Sequence, residues 1–370
     1  MLKLTKVPNK EISYIEFRDK YKEEDYFDII ELGVYYYSNN GLNKRPYKIT
    51  RVDVVNKDKV TSPRLSVLEE YIKSWNESIK NEKYPNDWQL FYLYKEIFQK
   101  LIHNKDVKQC YNYFRGQSDS RYELIPSAFR SNVKKDFLRD FEGIYEELAR
   151  LFPNRLTYHE LSKQKIKDRE TQLSLLQHFG LKTTLLDITS NPFVAMLFML
   201  SENIDNYKEP TLYFFQLDKY ADKSKIFVEV VKNEWNERII AQRGAFLNFD
   251  RAILPSENSE QDMDAKIPTI KLVLKFDEKE LRETLQASIQ SLLGIGLSEE
   301  DAIEFVSPLE NEYARDNLKS MDLIKKELME KLHEYFYSEV DLFPDFEKRI
   351  QYISSQYNLD LNKQLNIEIK

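Results

Sequence analysis

The sequence predicts an α+β protein: a mixed or antiparallel sheet flanked by helices, followed by a mainly helical C-terminal part. Three observations lead there. Short apolar runs of strand length recur near residues 111–115, 182–188, 211–217, 226–231 and 270–276, each bounded by polar or turn residues. After the second run, Pro192–Leu200 (PFVAMLFML) reads as a helix apolar all round, which needs burial on every side. From Asp277 onward the apolar spacing turns helical, with one helix over 276–293, a short one opened by Ser298, a long one over 313–336 and a last one over 346–355. These patterns divide the chain into an N-terminal β and helical region (1–105), a core (106–276) and a helical C-terminal region (277–370).

In the N-terminal region, Glu31–Ser38 and Tyr47–Val55 read as strands joined by the turn cluster SNNGLNKRP. Ser62-Pro63 opens an amphipathic helix by the cap-then-proline signal, and Trp88–His103 forms a second. No residue pattern there marks a catalytic site. In the core, Tyr111–Arg115 (YNYFR) is a short strand that runs into Gly116-Gln117. An arginine at a strand tip, followed by glycine, lets a planar guanidinium meet a phosphate or carboxylate while the backbone makes room. The competing reading of Arg115 is a salt bridge to Asp119 or Glu123. Helices are expected over 134–152 and 157–167.

The stretch from Thr171 to Ser201 carries the densest chemistry. Thr171–Phe179 reads as a helix end stopped by Gly180, since a residue just past a helix end often adopts positive φ. Lys182–Ile188 reads as a buried strand with Thr183, Leu185 and Asp187 on one face. Asn191-Pro192 then supplies an N-cap and a proline at the first helical position. His178 falls on the last turn of one helix and Asp187 at a strand end. Thr189, Ser190 and Asn191 lie where the next helix presents unpaired N–H groups, a place that suits an anion. Arg115 is expected to project from a sheet edge toward the same helix start. Asp187 and His178 also admit plainer roles, as a turn cap and a satisfied core histidine. Further on, Gln242-Arg243-Gly244 is a second polar group pinned by glycine.

Composition narrows the classes. The chain has 370 residues, 42% of them hydrophobic, with a formal net charge of −7, which argues against a general nucleic-acid-binding surface. One cysteine, Cys110, rules out an intramolecular disulfide framework and fits a reducing compartment. Four histidines show no metal-ligand spacing, so no metal is expected. The N-terminus lacks the apolar run of a signal peptide, and no window is long and apolar enough to span a bilayer. The expectation is a cytoplasmic protein with no membrane partner. Dinucleotide, P-loop and nucleophile-elbow signatures are missing.

Four pieces of the sequence resemble the FRG domain, a family named for its Phe-Arg-Gly tripeptide. They are Phe114-Arg115-Gly116-Gln117 with Tyr122, Leu124, Pro126 and Phe129-Arg130; Gln177-His178-Phe179-Gly180 through Thr189 and Asn191-Pro192; Gln242, Gly244 and Phe246; and Leu342-Phe343-Pro344-Asp345. Members of that family occur in bacteria and phage, some beside defence genes. The resemblance therefore implies a bacterial or phage protein with a role in antiviral defence.

A second resemblance is to ADP-ribosyltransferases of the arginine-serine-glutamate type. Arg115-Gly116 is similar to their first element, and Thr189-Ser190-Asn191-Pro192 with Ala195 and Phe198 to their second. Where those enzymes carry a catalytic glutamate, this chain offers Gln242, or Glu237 five residues earlier. This resemblance implies an ADP-ribosyltransferase-like sheet and NAD as cofactor, with transferase or NAD-cleaving activity. Arg115 would hold a phosphate, His178 and Thr189 the ribose or amide, and Gln242 or Glu237 the anomeric end. Gly116, Gln117, Ser190 and Asn191 would complete the nucleotide contacts, and a protein or nucleic-acid target would be a further partner. Two other readings stay open: a non-catalytic module that senses a nucleotide or protein, and a hydrolase using His178 and Asp187 as an acid–base pair.

Overall fold

The computed structural model describes residues 13–38, 47–81, 89–102, 110–201, 209–217, 226–230, 236–254, 266–346, 349–350 and 353–354. Two short helices, α1 (Tyr14–Lys20) and α2 (Glu23–Tyr26), lead into β1 (Phe27–Ser38) and β2 (Tyr47–Val54). Helices α3 (Arg64–Lys80) and α4 (Gln89–Ile102) follow. The middle of the chain contains β3 (Tyr113–Gln117), α5 (Lys135–Leu151), α6 (Ile166–His178), β4 (Leu185–Thr189) and α7 (Pro192–Leu200). After it come β5 (Thr211–Phe215), β6 (Phe227–Val228), α8 (Glu237–Ala241), β7 (Gly244–Asn248), α9 (Asp250–Ile253) and β8 (Ile267–Phe276). Helices α10 (Glu278–Gly294), α11 (Glu299–Glu334) and α12 (Glu339–Leu342) complete the described elements.

All eight strands join one sheet in the order β2-β1-β8-β5-β3-β4-β7-β6. The β1–β8 pair is parallel and the others are antiparallel, so the sheet is mixed and the protein is α+β, as expected. The N-terminal strands are part of this same sheet through the β1–β8 ladder. Strand β7 was not foreseen. Its residues Ala245–Asn248 are all buried, so it shows no alternation of polar and apolar positions. Strand β3 runs two residues further than expected and lies inside the sheet, between β5 and β4, so Arg115 does not stand at a sheet edge.

Two helix boundaries also differ. Residues 157–160 form no regular structure, 161–165 form bends and turns, and α6 begins at Ile166. Their backbone groups are taken by side chains of other elements. Tyr145 donates to Thr157 O at 2.7 Å, Arg169 Nη1 donates to His159 O at 2.7 Å, and Thr157 N donates to Gln172 Oε1 at 3.1 Å. The helices expected after Ser298 are one helix, α11, capped by the Ser298 hydroxyl. Of the helix expected over 346–355, the described residues Phe346, Arg349, Ile350, Ile353 and Ser354 are helical, and the others lie outside the described residues.

The sheet separates two cores. On one side α3, α4, α7 and α11 cover Ile30, Leu32, Phe114, Phe214, Ile270 and Leu272. On the other, α1, α5 and α6 cover Tyr113, Tyr213 and Phe215. Strand alternation thus sends Phe114 and Arg115 to opposite faces. The second core contains a fully buried guanidinium, Arg169, whose Nε pairs with Asp250 at 2.7 Å and whose Nη atoms reach Glu142, Tyr14 and His159 O. A buried charge is tolerated only with such complete partnering, and here the partners tie α1, α5, α6 and α9 together.

Helix α7 begins as its sequence predicts. Asn191 Oδ1 accepts from Phe193 N at 3.0 Å and Pro192 takes the first helical position. Ala195 and most of its neighbours are buried, while Phe198 is half-buried. The helix lies so close to β3 that a Cβ on Gly116 would sit 1.8 Å from Ala195 O and 2.6 Å from Met199 N. Gly116→Ala is therefore expected to lose about 3 kcal/mol in a denaturant melt, because backbone cannot give way as a flexible side chain can. Gly143→Ala, where a Cβ meets open space on α5, should gain about 0.5–1 kcal/mol. Equal stabilities for the two variants would contradict this packing.

Candidate functional site

The C-terminus of α6 is built by its own sequence. Gly180, at φ +93°, lets Leu181 N donate to Leu176 O and Gly180 N donate to Gln177 O, both at 3.0 Å, which closes the helix and turns the chain back. The next run becomes β4. The turn leaves Gln177 and His178 on the last helical turn, with Gln177 facing Asp187 in the middle of that strand. Gln177 Nε2 donates to Asp187 Oδ1 at 2.6 Å, and the Thr183 hydroxyl donates to Gln177 Oε1. The amide is thereby oriented from one end and holds the carboxylate at the other.

Strands β3 and β4 pair at Phe114↔Thr189 alone. Beyond that point they part, and a cleft of about 390 Å³ opens between them. Arg115 reaches across the gap, its Nη1 donating to the backbone carbonyl of Asp187 at 2.6 Å. With its amide oxygen turned toward Arg115, Gln117 accepts from Arg115 Nε at 3.2 Å and donates to Tyr122 O at 3.0 Å. Arg130 adds a second guanidinium to the lining. Neither arginine forms an ion pair with a described residue, and Asp119 pairs with Arg121 instead.

The remaining wall comes from two distant segments. Arg243, at φ +48°, shapes the turn between α8 and β7, and this turn docks on the end of β4: Ser190 N donates to Arg243 O at 3.0 Å and the Thr189 hydroxyl to Gln242 O at 2.7 Å. The C-terminal segment Leu342–Asp345 straps onto it. Gln242 Nε2 donates to Leu342 O at 2.9 Å, and Arg238 makes a two-pronged ion pair with Asp345 at 2.6 and 3.0 Å. Arg238 also lies 5.3 Å over the Phe343 ring and donates to His178 O at 3.3 Å.

Of the residues singled out from the sequence, Arg115, Gly116, Gln117, His178, Asp187, Thr189 and Gln242 line this one cleft. Glu237, Ser190 and Asn191 do not. Asn191 is occupied at both ends of its amide, by Phe193 N and by the Tyr337 hydroxyl. The guanidinium of Arg115 therefore points at Asp187 rather than at the start of α7. Arg130, Gln177, Tyr122, Arg238, Asn236 and Phe343 also line the cleft, beyond the site residues expected from the sequence. Most of them stood inside the quoted motifs, which was the available signal.

Asp187 is the one carboxylate among the lining residues, against three guanidiniums. One of those, Arg238, is neutralised by Asp345. Solvent reaches Asp187 through the cleft, yet protein surrounds it, and this loss of solvation pushes its pKa above the usual carboxylate value. Arg115 and the Gln177 amide oppose that shift in part. Desolvation also lowers the Arg115 pKa; Asp187 opposes this and the neighbouring Arg130 adds to it. The balance of charge favours an anionic guest. Among the described residues, no group of His, Cys, Asp and Glu is placed to hold a metal, and no helix is long and apolar enough to cross a membrane.

The family model for the FRG domain matches residues 111–208, so this chain carries an FRG domain over the segment from β3 through α7. No curated protein and no solved structure matches the chain.

The raised Asp187 pKa has a testable sign. Between the unfolded and folded pKa values the folded state binds more protons, so this group's contribution to stability falls as pH rises through that window. Asp187→Asn keeps an oxygen for Gln177 and removes the charge. The variant should melt at or above the wild-type temperature at pH 7, and the difference should shrink as the pH is lowered through the folded pKa. A variant that melts lower at pH 7 would mean that the charge stabilises the fold.

Proposed function

We propose that the cleft binds a nucleotide of the NAD type and cleaves or transfers it at the N-glycosidic bond. The observation that carries this reading is the pair of guanidiniums, Arg115 and Arg130, with no ion pair to a described residue, beside a single lining carboxylate, Asp187, held in place by Gln177. Arg115 and Arg130 would take the phosphates, since a guanidinium offers paired donors that match phosphate oxygens. Asp187 would face the sugar carbon. As the C–N bond breaks, its electron pair leaves with the base and positive charge grows on that carbon, where a fixed carboxylate lowers the barrier. Water or a target nucleophile then adds to the carbon and gives up a proton.

This reading moves the carboxylate role from Gln242 or Glu237 to Asp187. Gln242 spends its amide on Leu342 O, and Glu237 lies outside the cleft. An ADP-ribosyltransferase-like core draws support from Arg115 and Thr189 on neighbouring strands around one cleft. His178 would contact the ribose or amide. A role in antiviral defence, and a protein or nucleic-acid target, belong to the same proposal.

A second reading is a non-catalytic nucleotide sensor. It is favoured by the Thr189 hydroxyl, which is spent on Gln242 O and on Asn191 N. Incubation with NAD separates the two readings. The enzyme reading expects free nicotinamide, lost in Asp187→Asn. Binding without release supports the sensor. Arg115→Lys keeps the charge and loses the fork, so NAD affinity should fall at least about tenfold, or ~1.4 kcal/mol, in a folded protein. No binding of NAD at millimolar concentration would sink both readings.

A further inference from the structure

We infer that Tyr122 is the platform on which the planar base of the nucleotide stacks; the inference rests on the nucleotide reading of the cleft. Tyr122 lines the cleft and is 52% exposed. Its hydroxyl makes no hydrogen bond, and its ring touches no other ring or cation among the described residues. The other aromatic groups of the cleft are committed. Phe114 and Phe246 are buried in the two cores, and Phe198 meets Phe343 edge-on at 6.4 Å. Tyr122 therefore offers the free aromatic face.

The loop that carries it is fixed from several directions. Tyr122 N donates to Asp119 O at 3.2 Å, and the Asp119 carboxylate holds the backbone and guanidinium of Arg121. Ser120 donates to Glu209 at 2.7 Å, Lys271 donates to Ser120 O at 2.8 Å, and Leu124 N donates to Glu23 Oε1 at 2.7 Å. The Tyr122 carbonyl accepts from the Tyr213 hydroxyl at 3.3 Å and from Gln117. An exposed aromatic on a pinned loop pays little ordering entropy when a ring stacks on it.

Position supplies the ligand class. A single side chain, Gln117, links the Tyr122 carbonyl to Arg115. An aromatic side chain and two guanidiniums lining one cleft suit a ligand whose planar ring and phosphate are joined by one sugar.

The test compares the full chain binding AMP, nicotinamide mononucleotide and ribose 5-phosphate by calorimetry. The last has the sugar and phosphate and lacks the base. Wild type should bind at least one of the two nucleotides about tenfold or more tighter than ribose 5-phosphate. Tyr122→Ala and Tyr122→Leu should erase that preference and leave ribose 5-phosphate affinity unchanged, and Tyr122→Phe should keep it. A preference that survives both Tyr122→Ala and Tyr122→Leu overturns the stacking role while the nucleotide reading stands, as does a wild type that binds all three ligands equally. A wild type that binds none of the three, nor NAD, removes the nucleotide reading and this inference with it.

Discussion

The close seat of α7 on β3 at Gly116 is the contact on which the site depends. A helix backbone lies where a Cβ would have to go, so the position accepts only glycine without movement. Helix α7 also starts directly from β4 through Asn191-Pro192. Seating it on β3 holds the top of β4 against that strand at Phe114↔Thr189, while the strands below the contact stay apart. The gap in the sheet is the cleft. Arg115 bridges the gap through a backbone carbonyl rather than through a carboxylate, which leaves part of its guanidinium for a ligand.

Beyond the packing of α11 on α7, polar contacts join the C-terminal part to this arrangement. Tyr337, just past the end of α11, receives the Asn191 amide at 3.1 Å, so it touches the cap of α7 itself. The strap Leu342–Asp345 then fixes the α8–β7 turn through Gln242 and Arg238. Arg238 also reaches the last carbonyl of α6, which connects the strap to the helix carrying Gln177 and His178. The cleft wall is thus assembled from segments more than a hundred residues apart, and each is held by a directional polar contact.

Much of this was legible in the residues. Glycine at position 180, the Asn191-Pro192 cap and the all-apolar run after it each have a local cause, and each element formed as its sequence dictates. The approach of His178 and Gln177 to β4 follows from the short turn at Gly180, whereas Arg115 and Asp187 stand mid-strand and meet only through the pairing of β3 with β4. What was hidden depends on long-range contacts. The chain around Thr157 and His159 is not helical, and Tyr145, Gln172 and Arg169 claim its backbone groups. Strand β7 is buried on both faces and carries no period. The neutralisation of Arg238 by Asp345, and the engagement of Gln242 by Leu342, cross about a hundred residues and left no mark in local spacing.

The central claim is that the space between Arg115, Arg130 and Asp187 is a nucleotide site. A crystal structure of the protein grown with ADP-ribose tests it most directly. The account predicts the diphosphate within hydrogen-bond distance of the Arg115 and Arg130 guanidiniums, with the terminal ribose facing Asp187. A diphosphate bound elsewhere on the protein, or a cleft left without ligand at saturating ADP-ribose, would contradict it.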